Sequence, residues 1–118
     1  TDGSKAYEWD RDLTMSLQKY YGTAADGEVW GQYSGNKKYL PNAGDGWKFT
    51  LIRPKGSALI KAMQTELKRK GFYTSDIDGI AGQKFVQALQ RRLNVSGFGL
   101  TVDGIMGCAT VKALGKMT

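Results

Sequence analysis

Asp78-Gly79-Ile80-Ala81-Gly82 and Asp103-Gly104-Ile105-Met106-Gly107 are one five-residue loop written twice within 118 residues. A helix-like run containing a glutamine precedes each copy, and a short run ending in Ala-Leu follows it. A looser third copy, Asp26-Gly27-Glu28-Val29-Trp30-Gly31, carries one extra residue. A fixed internal repeat defines the structural unit before any site can be argued, and here the unit is helix, Asp-Gly-Ile-x-Gly loop, helix. The first glycine allows the turn, Ile80 or Ile105 is expected to plug the core, and the second glycine is expected to be small because the next helix follows closely. The aspartates, first glycines and isoleucines of the loops therefore read as fold-setting residues.

The segments around the loops have helical spacing. Leu59, Ile60, Met63 and Leu67 share one face of a run opened by Ser57 as N-cap and closed by Gly71, with Lys61, Lys68, Arg69 and Lys70 opposite. A second run, from about Lys84 to Leu93, turns Phe85, Val86, Leu89 and Leu93 inward, and a third, from about Ala109 to Leu114, offers Val111 and Leu114 before stopping near Gly115. Nearer the start, Leu13, Leu17, Tyr20 and Tyr21 recur at helical spacing behind Asp10 or Asp12 as cap, and Gly22 is a natural stop.

Between Val29 and Phe49 the character changes. Trp30, Tyr33, Tyr39, Trp47 and Phe49 are interleaved with glycine, asparagine and lysine, without helical periodicity. Trp47 to Arg53 alternates and is the best strand candidate, and Pro54-Lys55-Gly56 marks a boundary. The expected organisation is a linker remnant at 1–6, an aromatic N-terminal subdomain at 7–53 with a partial repeat, and a helical subdomain at 57–118. The fold class is mainly α (α+β), a short-helix bundle with short strands in its glycine-rich part.

Composition narrows the chemistry. The formal charge is +6, so an anionic partner is expected, whether nucleic acid, lipid or cell-wall polymer. No run of about 18 apolar residues exists to span a membrane, and the polar start Thr1 to Lys5 reads as the end of a linker in a larger protein. The chain has no histidine, which removes Ser-His-Asp triads, Cys-His pairs and histidine-dependent zinc sites. Cys108, the single cysteine, cannot form an internal disulfide and has no base to activate it. Carboxylates at Glu8, Asp10, Asp12, Glu28 and Asp45 are not set apart from caps and solvated charges. No catalytic residue, metal or cofactor is assigned.

The run Leu59 to Leu67 with Gly71-Phe72-Tyr73, Asp78 to Gly82 and Val86-Gln87-Ala88-Leu89-Gln90 resembles the peptidoglycan-binding-domain-like repeat of bacterial and phage cell-wall hydrolases. A second pass from Leu89 through Asp103-Gly104-Ile105-Met106-Gly107 to Leu114 matches it again, as does the half-unit Leu17 to Thr23 with Asp26-Gly27. The half-unit followed by Gly31-Gln32-Tyr33 is similar to that of streptococcal and lactobacillar phage lysins, and the whole arrangement resembles the target recognition domains of secreted streptolytic endopeptidases. Two departures stand out: Phe85 replaces the usual threonine, and the first loop has an extra residue and no following helix.

The resemblance implies a non-catalytic targeting domain of a secreted bacteriolytic hydrolase. Its partners would be streptococcal-type peptidoglycan and a tethered N-terminal catalytic domain, with no nucleic acid or membrane and with the chain a monomer. Trp and Tyr rings stack on sugar faces and peptide planes, while Lys, Asn and Gln supply polar contacts. The expected contact residues are Trp30, Tyr33, Tyr39, Trp47, Trp9, Gln32 and Lys37; Trp47, like Phe49, leans to the core, and Trp9 reads equally as core or contact. The run Lys68-Arg69-Lys70 with Arg91-Arg92 reads as a solvated helix face or as one attracted to teichoic acid phosphates or peptidoglycan carboxylates. The runner-up is a small basic helical domain that binds nucleic acid, although the arginines and lysines of the chain form no continuous stripe.

Overall fold

A computed structural model describes residues 8–52 and 54–117; the expected linker remnant at 1–6 lies outside the described residues. The chain is mainly α with a two-stranded sheet, as the sequence predicts. Helix α1 is Arg11–Tyr21, α2 Ala58–Arg69, α3 Gln83–Val95 and α4 Cys108–Met117. Asp10 caps α1 by accepting from the Leu13 N–H at 3.0 Å, and Gly22 ends it in the left-handed region at φ +76°. Ser57 caps α2 through its Oγ, which accepts from the Leu59 and Ile60 N–H groups. Gly115 does not stop α4, which runs on to Met117. Each helix packs on the next in chain order.

The repeat is held by a glutamine clasp that occurs three times among the described residues. Gln64 donates from Nε2 to Asp78 Oδ1 at 3.1 Å and to the Ile80 carbonyl at 3.1 Å, and its Oε1 accepts the Gly79 N–H at 2.8 Å. Gln90 makes the same set with Asp103, Ile105 and Gly104 at 3.0, 3.1 and 3.0 Å. Gln18 repeats it with Asp26, Glu28 and Gly27 at 2.8, 3.2 and 2.9 Å. In every copy the aspartate also accepts from the N–H two residues on, closing an Asx turn. Each glutamine is buried, so its amide satisfies backbone groups that the loop could not otherwise pair.

The clasps correct two expectations and account for the Phe85 departure. Ile105 is 42% exposed and Ile80 half-buried; the residue after each, Met106 and Ala81, fills the core at 0% exposure, with Val29 as the counterpart in the first loop. Helix α2 takes the place of the following helix that the first loop was expected to lack: Ser57, Ala58 and Leu59 border the same small cavity as Gln18, Asp26 and Glu28, just as Cys108, Ala109 and Thr110 border one with Gln90 and Asp103. Residues 30–56 are therefore an insertion between the first loop and its helix. Where the third clasp adds Thr110 Oγ1 at 3.1 Å from Gln90 Nε2, the second places Phe85 in the core and draws on the Tyr73 hydroxyl instead, 3.2 Å from Gln64 Nε2.

The insertion folds onto the repeats. Strands β1 (Val29–Tyr33) and β2 (Trp47–Thr50) pair in parallel, with Val29 opposite Trp47 and Gln32 opposite Phe49, and a 3-10 helix, Ser34–Tyr39, follows β1 in a stretch that shows no helical period. β2 stops at Thr50, short of the expected end. Trp9 adds an isolated bridge to Ala43. The insertion is stitched to the later loops: Asn36 Nδ2 donates to the Ala81 carbonyl at 3.2 Å, and the Tyr39 carbonyl accepts the Met106 N–H at 2.8 Å. At Gly31, φ is +63° and an added Cβ would sit 2.5 Å from the Gly56 nitrogen, so only glycine permits the two backbones to meet there. One core runs through both parts, from Trp9, Leu17 and Val29 to Leu89, Met106 and Leu114.

Candidate functional site

The outer face of the insertion carries two cavities that share one ring. The first, about 490 Å³, lies among Trp30, Lys48, Phe49 and Lys55, with the backbones of Gly31 and Gly56 behind them. The second, about 370 Å³, is bordered by Lys37, Leu40, Pro41, Trp47 and Phe49. Phe49 belongs to both, so the two form one interrupted groove along β2.

Its aromatic floor is ordered by packing beneath it. Trp9 meets Trp47 edge-on at 5.0 Å, and Trp47 stacks on Phe49 at 5.9 Å with 18° between planes. Residues 47 and 49 share a face of β2, as strand periodicity requires. Trp30 stands at the far end, 52% exposed, because its strand neighbours Val29 and Gln32 are the residues buried.

The groove is positively charged. Lys37 Nζ lies 5.0 Å from the Phe49 ring centroid, and Lys48 Nζ lies 6.0 Å from that of Trp30. Neither these lysines nor Lys55 pairs with a carboxylate among the described residues, whose ion pairs are Arg11–Glu28 and Lys70–Glu66. A lysine resting on an aromatic face keeps a favourable contact while leaving its charge available to an anion.

The shifted titratable groups belong to the clasps and helices. Hydrogen bonds from Gln18 hold the Asp26 carboxyl below the usual range, and those from Gln90 do the same for Asp103. Burial, then the nearby Asp78 and Asp76 charges, push the Tyr73 hydroxyl up to about 12. Tyr21 is raised by burial and by its 2.9 Å hydrogen bond to Glu66, which ties α1 to α2.

The structure brings some of the sequence-predicted site residues together and separates others. Trp30, Trp47 and Lys37 border the groove, although Trp47 is largely buried and its indole N–H has no hydrogen-bond partner among the described residues. Tyr33 is 41% exposed but borders neither cavity, and its ring lies over Gly35, where a Cβ would approach to 2.4 Å. Tyr39 is half-buried against the core. Two assignments are corrected. Trp9 is fully buried and donates from Nε1 to Thr14 Oγ1 at 3.0 Å. Gln32 is fully buried: its Nε2 donates to the Trp30 and Gly79 carbonyls and its Oε1 accepts the Ala81 N–H at 2.7 Å, so it fastens the insertion to the second loop.

Sequence reasoning missed Phe49, Lys48 and Lys55 as groove residues. Phe49 follows Trp47 by two in a strand, so the alternation was the available signal for it; Lys48 alternates to the other side of β2 and Lys55 lies beyond the strand, so no strand period marks them.

Comparison with known proteins adds the family. Searches among curated proteins and among solved structures return no match to this chain. The family model of a peptidoglycan binding domain matches residues 56–114, half of the chain, beginning at the end of the insertion and covering the second and third clasps. These are binding domains, and peptidoglycan is the partner they imply. With its glutamine-clasped helical repeats, the chain belongs to the peptidoglycan-binding domain family.

Proposed function

We propose that this chain is the non-catalytic targeting module of a secreted bacteriolytic hydrolase, and that it grips peptidoglycan of streptococcal type with the outer face of its insertion. The observation that carries the reading is the groove between Trp30 and Trp47, set on a domain whose repeats belong to a peptidoglycan-binding family. The sequence arrangement, aromatic half before repeat half, resembles the target recognition domain of zoocin A, a streptolytic endopeptidase. The insertion also covers part of the second and third loops through Gln32, Asn36 and Tyr39, which favours an outward-facing site on the insertion itself. The benefit to a tethered catalytic domain is effective concentration: a held enzyme meets its bonds repeatedly without added contacts at the scissile site.

Incubating the chain with purified streptococcal walls stripped of teichoic acid, and separately with duplex and single-stranded DNA at physiological salt, tests the reading. The expected result is co-sedimentation with walls and no shift of DNA. DNA binding without wall binding would replace it with the nucleic-acid alternative.

A further inference from the structure

We infer that the groove is a two-subsite reader of an extended anionic peptide, in which Lys48 and Lys55 take one carboxylate, Lys37 takes a second, and the segment between them passes the Phe49 side chain that borders both cavities. The inference rests on the peptidoglycan reading and specifies which part of that polymer is held: the carboxylate-bearing stem peptide.

Three observations converge on it. Phe49 borders both cavities, so a ligand filling both must be extended and must pass that side chain. Each cavity has its own lysine on its own aromatic face, Lys48 on Trp30 and Lys37 on Phe49. No acidic residue borders either cavity, and none of the three lysines has a carboxylate partner among the described residues, so the groove carries uncompensated positive charge.

A neutral glycan strand would use the rings and leave the three ammonium groups idle. A polyol phosphate would use the ammonium groups but has no flat group to lie on the rings. A peptide with free carboxylates uses both, since peptide planes stack on aromatic faces and carboxylates accept charge-assisted hydrogen bonds. The exposed position of Lys37, Lys48 and Lys55 makes each contribution modest and sensitive to salt, so discrimination has to come from engaging more than one of them.

The test titrates the full chain with four soluble probes: a stem peptide with free carboxylates, the same peptide amidated, a chito-oligosaccharide, and a glycerol-phosphate oligomer. The free peptide is expected to bind tightest, and amidation to weaken it at least about tenfold. Lys37→Ala and Lys48→Ala are each expected to lose about three- to tenfold, and the double variant about the product, because the subsites are separate. All three residues are exposed, so circular dichroism should not change. Equal binding of the amidated peptide, tighter binding of the oligosaccharide or of the glycerol phosphate, or no effect of Lys37→Ala would overturn the inference. Wall sedimentation run in parallel separates the two levels: walls retained with amidation silent defeats only the two-carboxylate assignment, whereas walls not retained by the unaltered chain defeats the peptidoglycan reading.

Discussion

Gln90→Leu is expected to lower stability by about 3–5 kcal/mol and the melting temperature by roughly 10–20 °C. Leucine keeps the volume but removes both halves of the amide. The buried Gly104 N–H then loses its acceptor, and the Ile105 carbonyl, Asp103 carboxylate and Thr110 hydroxyl lose a shared donor. Each buried group left unpaired costs about 1–3 kcal/mol, against a total stability that for a domain of this size is on the order of 5–15 kcal/mol. Lys84→Ala, at an exposed position of the same helix, should change stability by less than about 0.5 kcal/mol. Thermal unfolding followed by far-UV circular dichroism checks both. The variant should also lose part of its acid dependence. Asp103 is held below its ordinary value in the folded chain, so its contribution is present above the unfolded value and fades as pH falls through the folded one. Without Gln90 that acid-side loss should shrink.

Trp30→Ala is expected to weaken wall binding about 30-fold or more while leaving unfolding nearly unchanged. An aromatic anchor beside a cavity behaves as a hot spot, with truncation costing about 2 kcal/mol or more of binding. The ring is 52% exposed and its indole makes no hydrogen bond among the described residues, so little folding energy depends on it. Co-sedimentation isotherms paired with thermal melts separate the two quantities. Phe49→Ala would be a poorer probe, because its ring also stacks on Trp47 and bridges to the core. A Trp30→Ala chain that melts much earlier, or that binds walls as before, would remove this ring from the site.

The helices, their caps at Asp10 and Ser57 and the loop spacing were legible because they depend on local periodicity and short-range hydrogen bonds. The role of the glutamines was not, since a glutamine in a helix reads as surface until its loop partners 8 to 16 residues away are known. The loop isoleucines misled because the Asx turn points their side chains away from the core and delivers the next residue inward. Gln32 misled for a related reason. The irregularity between Val29 and Gln32, centred on Gly31, breaks the alternation of β1, so positions 29 and 32 both face inward and a polar residue among aromatics becomes a buried fastener. Trp9 was open between core and contact from sequence because its partners, Trp47 and Asn42, are distant in the chain. The insertion's position in the repeat emerged only when α2 was seen beside the first clasp.

In the proposed mode of binding, the outer face of the insertion holds the ligand and the helical repeats do not. An amide and indole chemical-shift map of the chain titrated with soluble muropeptides distinguishes the two surfaces. Shifts are expected at the Trp30 indole N–H and along Lys48, Phe49 and Lys55, extending to Lys37, with the third clasp unmoved. Shifts confined to residues 101–110 around the start of α4, with Trp30 and Phe49 unchanged, would contradict it.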